Sequence, residues 1–336
     1  MSDSLSQPSS GRTARASGGS FLPSGAAGWL VLLAAGIAFP LTQAPYMVEL
    51  GAVALAYTVA ICGLNLVTGL AGQVSLAHSF FVALGAYVSA ILVQTFGWPF
   101  FATLPVSAGA AFIAGILVGA PAIRLSGLYL AVVTFAVALI VPPIILRLEA
   151  ITGGANGLSI ARRMVPDVLM RADQWIFLIA FVFAAAAIYL LANLRGSAFG
   201  RGLQVLQANE LAAQTLGLNP SRLKVLAFAV SGVFGGIAGS LLALIDSFVA
   251  PQSFTFMLSI LLLVGAVIGG IQSAGGALAG AIVLVALPQL TDGVGLGWVG
   301  VTYGLAIVVI ILLVPKGAAG LGQAVLRRIR NYTGSR

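Results

Sequence analysis

Apolar runs of roughly twenty residues recur along almost the whole chain, the length a helix needs to cross a hydrocarbon core about 30 Å thick at 1.5 Å per residue. Inside such a core every backbone N–H and C=O must be paired within the protein, so only helices or a closed barrel can cross it. Runs this long and continuous select helices. Punctuation by polar residues, Gly and Pro predicts ten spans, at about 26–42, 46–68, 76–96, 99–120, 126–146, 175–194, 223–246, 255–271, 275–291 and 298–314. The fold class that follows is an all-α polytopic membrane protein with about ten transmembrane helices. Composition agrees: 7% of residues are charged, against roughly 25% in a soluble domain, and the mean hydropathy is +1.09.

Charge orients the spans. With the N-terminus inside, Arg12, Arg15, Arg124, Arg195, Arg201, Arg222, Lys224, Lys316, Arg327, Arg328, Arg330 and Arg336 face the cytoplasm, and only Arg147, Arg162, Arg163 and Arg171 lie outside. That bias predicts both termini cytoplasmic. The Ser-, Gly- and Pro-rich stretch 1–25 reads as a disordered tail without a cleavable signal, 26–315 as the transmembrane domain and 316–336 as a basic tail. The net charge of +8 sits singly between apolar runs and forms no basic aromatic patch, so it points to a lipid bilayer and not to nucleic acid. Cys62, the single cysteine, lies within an apolar run and reads as a packing residue.

Two places resist a plain count of spans. GLNLVTGLAGQVSLAHSFFVALGAY puts Asn65, Gln73, Ser75 and His78 among Gly63, Gly69 and Gly72, and VGAVIGGIQSAGGALAGAIV surrounds Gln272 and Ser273 with glycines. Irregular backbone at membrane depth is tolerated where protein or a water-filled cavity satisfies it, so some helices are expected to be broken there, with a distant internal repeat relating the two places. Asn65, Gln73, Ser75 and His78, with Tyr129 and Thr134 on the fifth span, are the candidate translocation-path residues. Small residues four apart (Gly115 and Gly119, Gly232 and Gly236, Gly235 and Gly239, Gly265 and Gly269, Gly276 and Gly280) predict close helix crossings.

The longest outer segment, 147–174, carries turn chemistry at Thr152, Gly153, Gly154 and Asn156, followed by a stretch able to form a surface helix, and could seat an outer partner. The longest inner one, 195–224, is the polar interruption RGSAFGRGLQVLQANELAAQTLGLNPSRLK. In it Asn209 caps a short helix that ends at Gly217, while Arg195, Arg201, Arg222 and Lys224 mark the membrane boundary.

Chemistry is sparse. Ser75 and His78 form the one Ser-His pair close in sequence, with no carboxylate beside them, which leaves a hydrolase with little to stand on. No phosphate-binding loop, dinucleotide fingerprint or metal cluster is present, so no cofactor or metal is expected in this chain. The span centres carry no carboxylate for a proton or sodium relay, and energy for transport must come from outside the chain.

Glu210-Leu211-Ala212-Ala213-x-x-x-Gly217 resembles the coupling-loop motif of ABC importer permeases, with Leu211 placed before the alanine pair. Over about 46–315, GLNLVTGLAGQVSLAHSFFVALGAY, RLSGLYLAVVTFA, TGGANGL and GRGLQVLQANELAAQTLGLNPSRLK together resemble the LivM-type permeases of branched-chain amino-acid ABC importers, a group that includes urea and short-amide members. The resemblance implies a subunit of the bacterial inner membrane that hydrolyses nothing itself. It also implies a second, H-type permease, two cytoplasmic ATPases and a periplasmic substrate-binding protein. Asn209, Glu210, Ala212, Ala213 and Gly217 would then couple to the ATPases, with Thr152, Gly153, Gly154 and Asn156 near the binding protein. A stand-alone facilitator is the competing function.

Overall fold

The computed structural model describes residues 36–160, 171–291 and 304. It is built almost wholly of helices, in the order α1 (Pro45–Leu64), α2 (His78–Phe96), α3 (Phe100–Gly119), α4 (Leu128–Leu139), α5 (Val141–Arg147), α6 (Glu149–Thr152), α7 (Ala172–Gly196), α8 (Ala198–Ala208), α9 (Glu210–Thr215), α10 (Pro220–Asp246), α11 (Phe256–Gly269) and α12 (Gly276–Thr291). A two-stranded antiparallel patch, β1 (Leu158–Ser159) with β2 (Phe248–Val249), is an addition that no sequence pattern announces.

Six helical stretches among the described residues are long and apolar enough to cross a membrane, and they coincide with the second to seventh predicted spans. The eighth and ninth are realised as the shorter helices α11 and α12, which at 14 and 16 residues reach only about 21 and 24 Å. They form a hairpin with its tip at 270–275. Of the first span only 36–42 is described, and the tenth, like the terminal tails and the stretch 161–170, falls outside the described residues apart from Gly304.

α10 is the axis of the bundle. Its most apolar window is 83% buried, against 28% for the α4–α5 stretch at the rim. α1, α2 and α3 pack around it, α7 lies against α1, and the α11–α12 hairpin closes on α1 from another side. The small-residue pairs sit at these crossings. A Cβ on Gly115 would come within 2.6 Å of the Ala229 Cα, and one on Gly236 within 2.6 Å of the Ala111 Cβ, so α3 and α10 touch backbone to backbone. Gly265 and Gly280 do the same between α11 and α12. Hydroxyls tie the crossing further out: Ser89 bonds Ser107 at 2.9 Å and Ser240 at 2.8 Å, and Thr103 donates to Ser89 at 3.0 Å. Cys62 is fully buried.

The fifth span is broken into α4 and α5. Pro142 and Pro143 fill the first turn of α5 and offer no N–H to the carbonyls of α4, so α4 ends at Leu139.

Candidate functional site

The two glycine-rich breaks, remote in sequence, meet at one end of the bundle. α1 widens into a π-helical turn at Asn65–Leu70. The chain then runs through 71–77 as a non-helical linker, with Gly72 at φ 67°, and starts α2 at His78. Asn65 donates through Nδ2 to the Ser273 carbonyl at 3.3 Å, and Gly69 faces the Ile271 carbonyl so closely that no Cβ fits. The Arg195 guanidinium, at the last turn of α7, donates to the Gln272 carbonyl at the hairpin tip.

The linker and the first residues of α2 are held by side chains from three helices. Leu76 N–H donates to Thr134 Oγ1 at 3.0 Å, and Ser79 N–H donates to Ser259 Oγ at 2.8 Å. His78 Nε2 lies 3.2 Å from Ser231 Oγ. Ser231 donates its only hydroxyl proton to the Gly63 carbonyl at 2.8 Å, so towards His78 it accepts, and the imidazole proton sits on Nε2. A histidine that donates to a serine cannot deprotonate it. Ser75 is elsewhere, its Oγ accepting from Ala77 N–H at 3.4 Å, and a Ser-His nucleophile has no geometry here.

The six path candidates therefore do not form one wall. Asn65, Ser75, His78 and Thr134 are buried, Gln73 is half-buried, and Tyr129 is 76% exposed on the outer surface of α4. Asn65 and Gln73 keep a buried oxygen without a partner among the described residues, as does the Nδ1 of His78. A small cleft lined by Asn65, Leu70, Leu191, Arg195 and Gln272 adjoins the first of these.

At the same end, α7 continues into a bracket of two short helices. Ser197 caps α8, Oγ accepting from Gly200 N–H. Asn209 caps α9, Oδ1 accepting from Leu211 N–H at 2.9 Å and Ala212 N–H at 3.2 Å. Gly217, at φ 76°, turns the chain back, and Asn219 caps α10 by accepting from Arg222 N–H at 3.1 Å. Gln207 of α8 rests on Gly72 of the linker, where a Cβ would come within 2.8 Å of its Cγ.

Within the motif, roles divide by burial. Ala213 is fully buried beneath α9, whereas Leu211 and Leu216 are 70% and 69% exposed. Ala212 is exposed as well. Glu210 meets Lys224 of α10, whose Nζ donates to both carboxylate oxygens at 2.9 Å. Lys224 was expected to mark the membrane boundary; its side chain is instead buried. Leu211 in α9 and Leu216 at its C-cap are two bulky apolar side chains left exposed in a polar loop, a pattern readable in the sequence.

The opposite end carries the turn at 152–157. Thr152 Oγ1 donates within the turn to the Ile145 and Leu148 carbonyls and accepts from Gly154 N–H at 3.2 Å. Gly153, Gly154 and Gly157 all have positive φ, and Gly157 faces Val249 too closely for a side chain. The turn is thus locked by the β1–β2 pairing and presents Asn156 outward. Between it and α2 lies an apolar cavity of about 210 Å³ lined by Phe80, Tyr87, Ile91, Val141, Ile145 and Thr152 among others. The Tyr87 hydroxyl is buried with no hydrogen-bond partner among the described residues.

The family model for the permease component of branched-chain amino acid transport systems matches residues 46–314. The chain is 34% identical over 285 residues to the high-affinity branched-chain amino acid transport system permease protein LivM of Escherichia coli (strain K12), over 78% of this chain and 67% of that protein. It is 32% identical over 289 residues to the protein of the same name in Salmonella typhimurium, with the same coverage of each. It is also similar, at 26% identity over 275 residues, covering 75% of this chain and 85% of the relative, to a probable branched-chain amino acid transport permease protein LivH of Methanocaldococcus jannaschii. No solved structure matches the chain.

Proposed function

Because the chain belongs to the family of permease components of branched-chain amino acid transport systems, we propose that it is the membrane subunit of an ATP-driven importer, working by alternating access in a bacterial inner membrane. It pairs with a second, H-type permease, two cytoplasmic ATPases and a periplasmic binding protein, and both of its termini are cytoplasmic. The observation that carries this reading is the mounting of α9. A six-residue helix is too short to persist alone in water, yet here it is capped and seated on the bundle through Ala213, with Leu211 and Leu216 turned outward. That is a contact surface for an ATPase. Asn209, Glu210, Ala213 and Gly217 build the mount and Leu211, Ala212 and Leu216 meet the partner.

Closure of the ATPase dimer displaces the α8–α9 bracket. Through Gln207 on Gly72 the displacement reaches the linker that carries Gln73 and Ser75, and through Arg195 it reaches the hairpin tip. These two pieces form the inner mouth, with Asn65 and Gln73 on the route. Thr134 holds the linker at Leu76 and His78 anchors the start of α2 to α10, and Tyr129 faces the second permease. At the outer end, Thr152, Gly153 and Gly154 shape the turn that presents Asn156 to the binding protein.

The outer cavity favours branched-chain substrates over the urea and short-amide alternative. Its walls suit an aliphatic side chain, and to a urea molecule, with its several hydrogen-bonding groups, it offers a single unpaired hydroxyl at Tyr87.

The tagged chain, extracted in mild detergent, is expected to bring down one further permease and two ATPases. In proteoliposomes with its binding protein, the complex is expected to take up labelled leucine on ATP hydrolysis, with isoleucine and valine competing and urea not. Leucine uptake without ATP and without a captured ATPase would establish the facilitator instead.

Cysteine scanning tests the route, since Cys62 is the one native cysteine and is buried. Gln73→Cys is expected to react with an aqueous thiol reagent in the inward-open state and Thr134→Cys in none. Protection of Gln73→Cys in every state would remove it from the route.

A further inference from the structure

Lysine is almost never fully buried unless it is paired, and Lys224, in the second turn of α10, has a side chain 3% exposed. Its partner is Glu210, the first residue of α9, whose side chain is 45% exposed. The asymmetry is informative. The ammonium is built into the spanning helix and the carboxylate is brought to it from the short one, so the position of the pair is set by α10.

α9 also packs along α8. The Asn209 cap and the Gly217 turn organise α9 and its exit internally. Toward the bundle it offers the Ala213 methyl group, which can slide, and the Glu210 carboxylate, which grips the ammonium through both oxygens at 2.9 Å. The contact is charge-assisted on both sides, which makes it stronger than a neutral hydrogen bond and resists separation of the two groups. α10, for its part, cannot move alone: Gly115 of α3 abuts it at Ala229, and Gly232, Gly236 and Gly239 interlock its middle with α2 and α3. A pull at Lys224 therefore moves a packed unit.

We propose that Lys224 is a positioning residue for energy coupling: its ion pair with Glu210 ties the coupling helix to α10, so that displacement of α9 by the ATPase is delivered to the core of the bundle. The proposal rests on the reading of α9 as the ATPase-coupling helix. It assigns Glu210 to a contact within the chain and not to the ATPase surface.

The test uses the complete transporter in proteoliposomes and reads leucine uptake per ATP hydrolysed, together with ATPase capture in detergent. Lys224→Met and Glu210→Gln are each expected to lower uptake per ATP at least about tenfold, within the range typical of coupling between sites, with capture retained. Lys224→Arg, which keeps the charge, is expected to recover most of it, and the exchange Glu210→Lys with Lys224→Glu to recover part. A merely structural role would lower capture, hydrolysis and uptake together and leave uptake per ATP unchanged; that result overturns the proposal. If Lys224→Met does not accumulate, Glu210→Gln and the charge exchange carry the same test. Failure of the unmodified chain to capture any ATPase overturns the coupling reading itself, an outcome distinct from intact capture with unchanged coupling in the variants.

Discussion

Ala213→Trp is expected to cut ATP-driven uptake at least about tenfold while the spanning bundle stays folded, because overpacking costs about 1–3 kcal/mol and 1.4 kcal/mol is tenfold in an equilibrium. Ala213 is fully buried on the underside of α9, so an indole there has no room unless the helix lifts from its seat. The seat is weak, because α9 is six residues long and isolated helices of fewer than about twelve residues do not hold in water. The helix gives way before the bundle does. Gly217→Ala is a milder change at the other end of the motif. A Cβ at Gly217 meets nothing within 4 Å, and only its φ of 76° opposes the substitution, at about 1–2 kcal/mol. The expected order is therefore a severe defect at Ala213 and a partial one at Gly217, measured as leucine uptake at matched amounts of membrane-inserted protein. Normal uptake by Ala213→Trp would sink the coupling role of α9.

That ranking was not legible in the motif, where Ala212, Ala213 and Gly217 look alike. Burial separates them, and burial depends on how α9 lies against α8 and α10. The spans were readable because membrane thickness sets a length that composition alone reveals, as in Ala172–Gly196 and Pro220–Asp246. The fifth span was readable by length as well, but length hides its break: Pro142 and Pro143 divide it, and Tyr129 and Thr134, five residues apart on α4, lie in different environments, one 76% exposed and one fully buried. Both glycine-rich breaks could be located. Their convergence could not, since Asn65 and Ser273 are 208 residues apart and nothing local records the pairing. Lys224 shows the same limit at short range. A lysine after Asn219-Pro220 reads as a boundary charge until the Gly217 turn folds the chain back and sets Glu210 against it.

The second large effect lies at the helix crossings, where Gly239→Val is expected to leave little or no folded protein. An ideal Cβ at Gly239 falls against the Val82 carbonyl group and within 2.9 Å of Ala86 N, all backbone of α2, and Gly85 from the facing side meets Gly236 in the same way. Backbone cannot rotate aside as a side chain can, so α2 and α10 must separate along the crossing. In lipid there is no apolar burial to draw them back, only packing and hydrogen bonds. Separation also breaks the neighbouring contacts, since Ser240, the next residue, accepts from Ser89 at 2.8 Å and donates to the Gly85 carbonyl at 3.2 Å. Overpacking at about 1–3 kcal/mol and loss of these bonds at about 0.6 kcal/mol each add up to a large share of a typical stability. Gly109→Ala provides the contrast: it sits inside α3 with nothing within 4 Å of a Cβ, so the gain in helix propensity, up to about 1 kcal/mol, meets no clash. Thermal melting in detergent is expected to place Gly109→Ala at or above the unmodified chain and Gly239→Val well below it or absent from the folded fraction. Equal melting of Gly239→Val and the unmodified chain would mean that α2 and α10 do not cross at these glycines, and with that the rigid core to which α9 is tied would lose its basis.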